Sequence, residues 1–304
     1  MASGLGFPEG PVAMRDGSVL VADIRNGNVM RILHDGSRQD IAHVGGGPNG
    51  LAIGPDQKLY VCNNGGFAWH EEGGISFPTG TAENYAGGSI QRIDLDQGQV
   101  ETVVDSFEGR TLSGPNDLVF DTEGGFYFTD TGKSFAHAAD HGALYYFDGT
   151  SLSRVAEGLD QPNGVALSPD GTRLYASETR TARLWWWHVD APGRLRGGET
   201  FLGAGGGNFL YGDPRYRFFD SIAVESAGAV CVGTLLEGGV SVIAPTGYLI
   251  ERVDVSVDLA ITNIAFGGPD LRDAYLTAST TGCLYKMRWA RPGLALNFEN
   301  LAVS

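Results

Sequence analysis

The chain is short of basic residues and of long apolar runs. Its 304 residues contain 21 Lys and Arg against 36 Asp and Glu, which gives a formal net charge of −15. This excess of negative charge opposes binding to nucleic acid and to anionic membrane surfaces. The sequence also lacks the uninterrupted apolar run of about 20 residues that a membrane-spanning helix requires. We therefore expect neither a nucleic-acid partner nor a membrane partner.

Cysteine is equally scarce, with Cys62, Cys231 and Cys283 as the only three. They lie far apart and form neither a CxxC pair nor an even disulfide set, which fits a reducing compartment. The N-terminal residues lack the charged and apolar regions of a signal peptide. The sequence therefore predicts a cytoplasmic protein.

Two further absences narrow the fold and the chemistry. No segment shows sustained helical periodicity, which argues against an α/β fold. No Gly-x-Ser-x-Gly sequence is present, so the chain has no nucleophile elbow on which a serine hydrolase could be built.

One short pattern recurs six times along the chain. It is clearest at residues 162–167, where an apolar strand leads into a turn at Asp170-Gly171 and a second strand at residues 174–176. Four short strands per repeat are typical of a β-propeller blade. A sandwich or a closed barrel does not require the same hairpin six times. The sequence predicts an all-β, six-bladed β-propeller that occupies residues 1–304 as a single domain.

The start of each repeat carries an oxygen-bearing side chain. The innermost strand of a propeller blade runs along the central channel, so equivalent positions at the start of these strands should lie on one rim. The six side chains are Glu9, Asn49, Asn116, Asn163, Asp220 and Thr262. Two carboxylates and several amides, without thiolates or paired imidazoles, are typical ligands of a hard divalent cation. Calcium (Ca²⁺) is the default ion, with Zn²⁺, Mn²⁺, Mg²⁺ and Fe²⁺ as alternatives.

Turn formation is the competing explanation for these six side chains. It accounts for Asn49 and Asn163, because Pro-Asn-Gly is common turn chemistry. It does not account for Glu9, and an unpaired carboxylate near the axis would be costly without a cation. The sequence therefore favours a central metal site.

Five longer motifs carry a resemblance to a known family. They are Phe7-Pro8-Glu9-Gly10-Pro11, Ser113-Gly114-Pro115-Asn116-Asp117-Leu118, Tyr127-Phe128-Thr129-Asp130-Thr131, Gln161-Pro162-Asn163-Gly164 and Thr262-Asn263-Ile264-Ala265-Phe266-Gly267-Gly268. Together they make the chain resemble the SMP-30/gluconolactonase/LRE-like family of six-bladed propeller lactonases over nearly its full length. Drp35-type lactonases resemble it closely, and the diisopropylfluorophosphatase and paraoxonase propellers share the central-metal plan more distantly.

The resemblance implies a divalent cation held by a Glu of the first blade, Asn residues of the middle blades and an Asp of the fifth. In this chain the corresponding residues are Glu9, Asn163 and Asp220, with Asn116 as a further ligand or a substrate contact. Many relatives have Asp-Gly at the fifth-blade motif, whereas this chain has Asp220-Ser221, as Drp35-type lactonases do. Ser221 is therefore a candidate for an additional oxygen ligand.

The resemblance also implies metal-assisted hydrolysis of a lactone, in which a carboxylate takes a proton from the attacking water. Asp220 is the first candidate for this base. Asp130 is a second candidate, although it is equally compatible with a structural role at a strand end, and Asp117 is a third. Asn49 and Asn116 are expected to form hydrogen bonds with sugar-like hydroxyls.

Two aromatic segments complete the expectations. Residues 63–85 form the longest insertion between repeats, and long loops on rigid scaffolds usually cap or line a site. We expect aromatic side chains of this insertion to form a wall or lid over the substrate, namely Phe67, Trp69, His70 and Tyr85. In the run Trp185-Trp186-Trp187, strand alternation places the middle ring on one face of the sheet and the two outer rings on the other face. On either face, these rings are expected to pack between blades.

The leading hypothesis is a divalent-metal-dependent lactonase of the gluconolactonase type, acting on a sugar-derived or similar small lactone. A phosphotriesterase-like hydrolase on the same metal site is one alternative. A non-catalytic binding propeller with a structural ion is another, because fold alone does not give function. A small-molecule lactone is the expected partner, and the protein is expected to be a monomer or a weak homo-oligomer.

Overall fold

The computed structural model describes residues 1–135, 137–198 and 204–299 of the chain. Within these ranges the chain forms 28 β-strands and one 3₁₀ segment, Ala204–Gly206. The same ranges contain no helix of the length and apolar character needed to cross a bilayer.

The strands form successive antiparallel sheets, each of which is one blade. Blade 1 contains β1 (Pro8–Ala13), β2 (Val19–Asp23), β3 (Asn28–Ile32) and β4 (Arg38–His43). Blade 2 contains β5 (Pro48–Ile53), β6 (Leu59–Asn63) and, after the separate hairpin of β7 (Phe67–Glu72) and β8 (Ile75–Thr81), β9 (Ser89–Ile93) and β10 (Val100–Val104). Blade 3 follows the short hairpin of β11 (Ser106–Phe107) and β12 (Arg110–Thr111) and contains β13 (Pro115–Phe120), β14 (Phe126–Asp130), β15 (Gly142–Phe147) and β16 (Leu152–Leu159).

The second half of the chain repeats this arrangement. Blade 4 contains β17 (Pro162–Leu167), β18 (Arg173–Glu178), β19 (Arg183–Ala191), β20 (Arg194–Arg196) and β21 (Asn208–Gly212). Blade 5 contains β22 (Phe218–Val224), β23 (Val230–Leu235), β24 (Gly239–Ile243) and β25 (Leu249–Asp254). Blade 6 contains β26 (Ile261–Gly267), β27 (Asp273–Ala278) and β28 (Cys283–Arg288).

The innermost strands form a closed ring. Strands β1, β5, β13, β17, β22 and β26 each contact the next, and β26 returns to β1. Two backbone hydrogen bonds between Ala2 and Leu284 of β28 also connect the first and last blades. The predicted all-β, six-bladed propeller is therefore confirmed. The expectation of four strands in every blade is wrong, because blade 6 has three strands in the described ranges and β20 and β21 both pair with β19 in blade 4.

The hydrophobic core consists of six layers, one between each pair of adjacent blades. Alternation along the innermost strands explains this, because Val119 faces blade 4 while Leu118 and Phe120 face blade 2. Every residue of β13 and β17 is buried, as expected for strands covered on both faces. The tryptophan prediction is confirmed, since Trp185 and Trp187 pack in the layer of blades 3 and 4, and Trp186 packs against that of blades 4 and 5.

One end of the central channel is closed by the C-terminal segment 289–299. The backbone nitrogen of Leu294 donates to Val224 of blade 5 (2.8 Å), and Nδ2 of Asn297 donates to the carbonyl of Phe120 in blade 3 (3.0 Å). The segment ends at Glu299, whose carboxylate accepts a hydrogen bond from the backbone of Ile53 in blade 2 (3.3 Å). The segment therefore crosses the channel from one side of the ring to the other.

Candidate active site

A β-bulge lies at the same place in each innermost strand. The pairing with the second strand shifts directly after Glu9 in blade 1 and between Phe219 and Ile222 in blade 5, and the other four blades show the same irregularity. Bulges bend a strand and redirect its side chains. Each bulge coincides with the oxygen-bearing residue of its repeat. The bulges therefore explain why the six residues predicted from the sequence occupy equivalent places in their strands.

Glycine follows the oxygen-bearing residue in three blades because the innermost strands approach one another closely there. A Cβ at Gly50 would lie 2.6 Å from the carbonyl oxygen of Asn116, and one at Gly164 would lie 2.3 Å from the backbone nitrogen of Ile222. The remaining three blades carry Asp117, Ser221 and Asn263 at this position.

Five of the six predicted rim residues line one cavity at the end of the channel opposite segment 289–299. Its volume is about 360 Å³, within the range of small-molecule sites, about 300–1,000 Å³. The five residues are Glu9, Asn49, Asn116, Asn163 and Asp220. The sixth, Thr262, forms hydrogen bonds with Thr277 and Ser279 in blade 6 and is not part of the lining.

Glu9 is almost completely buried, with 2% of its surface exposed. Its Oε2 accepts hydrogen bonds from the backbone nitrogen of Gly10 (2.9 Å) and from Nδ2 of Asn263 (3.1 Å). Burial raises the pKa of Glu9, and hydrogen bonds from Thr262, Gly10 and Asn263 offset part of that rise. The sequence reasoning did not assign Asn263 a role, although it lies in a quoted motif.

Asp220 is the second carboxylate of the cavity, where it is half-buried. Enclosure by the surrounding protein, followed by the negative charge of Glu9, holds the pKa of Asp220 well above its usual range. Two neighbouring carboxylates, one of which raises the pKa of the other, are stabilised in their charged forms by a shared cation. In the described ranges no ion pair joins Lys, Arg or His to either of them.

The amides fit the same interpretation. The Oδ1 atom of Asn116 is buried and has no hydrogen-bond partner among the described residues, which is costly unless a ligand occupies the position. Asn163 accepts a hydrogen bond from Oγ of Ser221 through its Oδ1 (3.3 Å) and donates from Nδ2 to Thr179 (3.2 Å). Ser221 does not line the cavity itself, so the structure places it behind Asn163.

The donor set of the cavity fits a hard cation. The described ranges contain no cluster of three or more His, Cys, Asp and Glu side chains suited to a metal. A cation here would therefore depend on the oxygens of Asn116 and Asn163 in addition to the carboxylates of Glu9 and Asp220. All-oxygen sites of this kind are typical of calcium.

The other two candidate bases lie in different surroundings. The carboxylate of Asp130 accepts hydrogen bonds from the backbone nitrogens of Ser113 (2.8 Å), Gly114 (2.7 Å) and Gly132 (2.9 Å). Asp130 is not part of the lining of the 360 Å³ cavity, and its bonds favour the structural role over a catalytic one. Asp117 lies deeper in the channel, where burial raises its pKa to about 7.

The predicted loop at residues 63–85 is the β7–β8 hairpin. Phe67 lines the cavity, and the ring of Trp69 packs on Phe67 and on Phe7, with centroids 6.1 and 5.3 Å apart. Trp69 therefore supports the wall from behind. His70 is exposed, lies 3.7 Å from Glu72 and stacks on Phe77, away from the cavity. The structure does not bring His70 to the other predicted residues.

Two basic residues of the cavity were missed by sequence reasoning. Lys133 follows β14 and is 4% exposed, and Arg180 lies in the turn between β18 and β19. Neither belongs to a repeated motif, so the pattern that located the rim gives no signal for them.

Comparison with known proteins identifies the family of this chain. The SMP-30/Gluconolactonase/LRE-like region model matches residues 7–280. The chain belongs to this family. Proteins similar to this chain include a gluconolactonase of Zymomonas mobilis, 26% identical over 299 residues that cover 88% of this chain and 75% of that protein.

Two further similarities bear on the family and the fold. The lactonase drp35 of Staphylococcus aureus is 25% identical over 244 residues, which cover 79% of this chain and 67% of that protein. The solved structure of a calcium-binding protein, regucalcin from Agrobacterium tumefaciens, matches with a TM-score of 0.70 at 17% identity. That match covers 97% of this chain and 99% of the regucalcin chain and shows that the two share a fold.

Proposed function

We propose that this protein is a metal-dependent lactonase that hydrolyses a sugar-derived or similar small lactone, with Ca²⁺ as the cation. The observation that carries the proposal is the cavity lined by Glu9, Asp220 and Asn116, whose buried Oδ1 has no hydrogen-bond partner among the described residues. The names of the gluconolactonase and drp35 relatives support the substrate class. The calcium-binding relative of the same fold supports the choice of ion.

Glu9, Asn116, Asn163 and Asp220 would hold the cation. Once bound, it would polarise the carbonyl of the lactone and stabilise the negative charge that develops on the carbonyl oxygen. Asp220, in its charged form, would accept a proton from the attacking water. Water adds to the carbonyl carbon and the ring C–O bond breaks, so the product carries a new carboxylate and a new hydroxyl.

The remaining residues would position the substrate. Asn49 lines the cavity beside the two carboxylates and is suited to bonding a sugar hydroxyl. Ser221 and Thr179 fix the amide of Asn163, and Asn263 fixes Glu9, so the donor atoms are held by their neighbours before any ligand arrives. The β7–β8 hairpin contributes Phe67 to the wall, which limits access of bulk water.

Metal removal and replacement tests the proposal. The metal content of the purified protein would be determined, the protein treated with EDTA, and hydrolysis of D-glucono-1,5-lactone followed before and after separate addition of Ca²⁺, Zn²⁺, Mn²⁺, Mg²⁺ and Fe²⁺. We expect activity to be lost with the metal and to return with Ca²⁺. Hydrolysis of a fluorophosphate without any lactone hydrolysis would instead establish the phosphotriesterase-like alternative. Metal-dependent folding without either activity would indicate a structural ion.

A further inference from the structure

The cavity wall carries an unpaired buried ammonium group. Nζ of Lys133 donates to the carbonyl oxygen of Gly66 (2.9 Å) and lies 3.4 Å from Oδ1 of Asn64. It also lies over the rings of Phe67 and Tyr85, 4.2 and 5.2 Å from their centroids. None of the described carboxylates is within 4.0 Å of it, and burial lowers its pKa to about 8.

Such an arrangement is expensive without an anionic partner. A buried charge is normally paired, and an ammonium has three hydrogens to donate. Lys133 has two oxygen acceptors among the described residues and two aromatic rings beside it, so its third hydrogen has no oxygen acceptor and its charge has no anionic partner there. Because Lys133 lines the cavity, a ligand in the cavity can supply the missing acceptor and the missing charge.

Arg180 adds a second positive charge beside Lys133. Its Nη2 atom lies 3.5 Å from Oγ of Ser134, the residue that follows Lys133. Arg180 is exposed, lines the same cavity and has no carboxylate partner among the described residues. Among the described residues that line the cavity, Glu9 and Asp220 are the only acidic side chains. Two unpaired cations on this wall stand out in a chain with a net charge of −15.

We propose that Lys133 and Arg180 form an anion subsite, so that the preferred lactone carries a carboxylate or phosphate group in addition to its ring ester. This inference rests on the proposed lactonase function and specifies its substrate class. The anionic group would lie against Lys133 and Arg180 while the ring carbonyl faces Glu9 and Asp220. Lys133 would act as a specificity-determining residue.

Three substrates test the subsite. D-glucono-1,5-lactone is neutral, D-glucaro-1,4-lactone carries a carboxylate, and 6-phospho-D-glucono-1,5-lactone carries a phosphate. We expect the wild type to prefer one of the anionic lactones in kcat/KM, and the better one identifies the group. In Lys133→Met, which keeps a long apolar stem against the aromatic rings, this preference should fall about tenfold or more.

Two variants serve as comparisons. Lys58→Met removes a lysine from the turn between β5 and β6, at the end of blade 2 away from the cavity, and the substrate preference should stay as in the wild type. Arg180→Gln, at an exposed position, should weaken the preference less than Lys133→Met does. Equal preference for all three lactones in the wild type, or an equal loss on all three in Lys133→Met, would overturn the subsite and leave Lys133 a structural residue.

Calorimetric binding separates this inference from the proposed function. D-glucarate, an anionic ring-opened compound, and neutral D-glucitol would be titrated into the metal-loaded wild type and Lys133→Met. Tighter binding of D-glucarate that weakens about tenfold in the variant supports the subsite, even if no lactone is hydrolysed. Identical D-glucarate binding by both proteins contradicts the subsite, even if the lactonase activity is confirmed.

Discussion

The two ends of the central channel are built from the same six strands but have opposite chemistry. At the cavity end, five of the six bulges carry a carboxylate or an amide that lines the cavity, and the amide of Asn116 has a buried oxygen without a partner among the described residues. At the other end, the later residues of the same strands are mostly apolar and meet segment 289–299. The comparison teaches that one strand of six or seven residues can divide its tasks, with polar side chains lining the cavity at the bulge and apolar side chains packing after it.

The strongest test of this division is Asp220→Asn. It preserves volume but removes the proposed base, so kcat/KM for a lactone should fall about 10²- to 10⁴-fold. The metal-free protein should be at least as stable as the wild type, because the variant removes the repulsion between Asp220 and Glu9. Activity assays and thermal unfolding of both proteins check the two effects.

Asp130→Asn is the matched comparison for that variant. It replaces an acceptor of three backbone hydrogen bonds, so it should lower the unfolding temperature more than Asp220→Asn does. If Asp130→Asn abolished hydrolysis while its unfolding temperature stayed unchanged, Asp130 rather than Asp220 would be the base.

Calcium should stabilise the cavity end. At about 100 times its dissociation constant, a cation that binds the folded state alone adds about 2.7 kcal/mol to the free energy of unfolding. Glu9→Gln removes one of the two carboxylates and should reduce this gain at the same calcium concentration. Calorimetric unfolding of both proteins with and without Ca²⁺ measures this gain in stability. The exposed Glu83→Gln is the control, and an equal gain in Glu9→Gln would exclude Glu9 as a ligand.

At the end of the channel covered by segment 289–299, stability should depend on pH. Burial raises the pKa of Glu299 to about 8 from 4.5. A carboxyl with a raised pKa stabilises the fold fully below its unfolded pKa, and this stabilisation is lost as pH rises from about 4.5 towards 8. The free energy of unfolding of the metal-free wild type should therefore fall between pH 5 and pH 8, and that of Glu299→Gln should fall less. The difference between the two proteins should grow by at most about 1.4 kcal/mol per pH unit. Thermal unfolding at both values tests this, and equal pH dependence would show that Glu299 is not buried in solution.

The smallest expected effect belongs to Ser221→Ala. Ser221 donates to Asn163 from behind the cavity, and loss of a single hydrogen bond costs about 1 kcal/mol. We expect calcium affinity to weaken a few-fold, measured by calorimetry, while the fold is retained. A complete loss of calcium binding would mean that the Ser221 hydroxyl is itself a ligand.

The sequence predicted the features that recur in every blade better than the features that occur only once in the molecule. The rim positions Glu9, Asn116 and Asp220 could be found because six copies of one local pattern must end at the same place in a propeller. Lys133 could not be found, because its burial depends on Gly66 and Phe67 from the preceding blade. The course of segment 289–299 across the channel likewise depends on distant backbone groups and leaves no periodic signal.

The order of the blades has an electrostatic consequence. Glu9 and Asp220 belong to blades 1 and 5, on either side of blade 6, whereas Lys133 and Arg180 belong to blades 3 and 4 across the ring. Without a bound cation, the acidic side chains of the cavity therefore lie on one side of the ring and the basic side chains on the other. A divalent cation held by Glu9 and Asp220 would offset their two negative charges and leave Lys133 and Arg180 as uncompensated positive charges on the opposite wall. This asymmetry would attract the anionic end of a substrate to that wall.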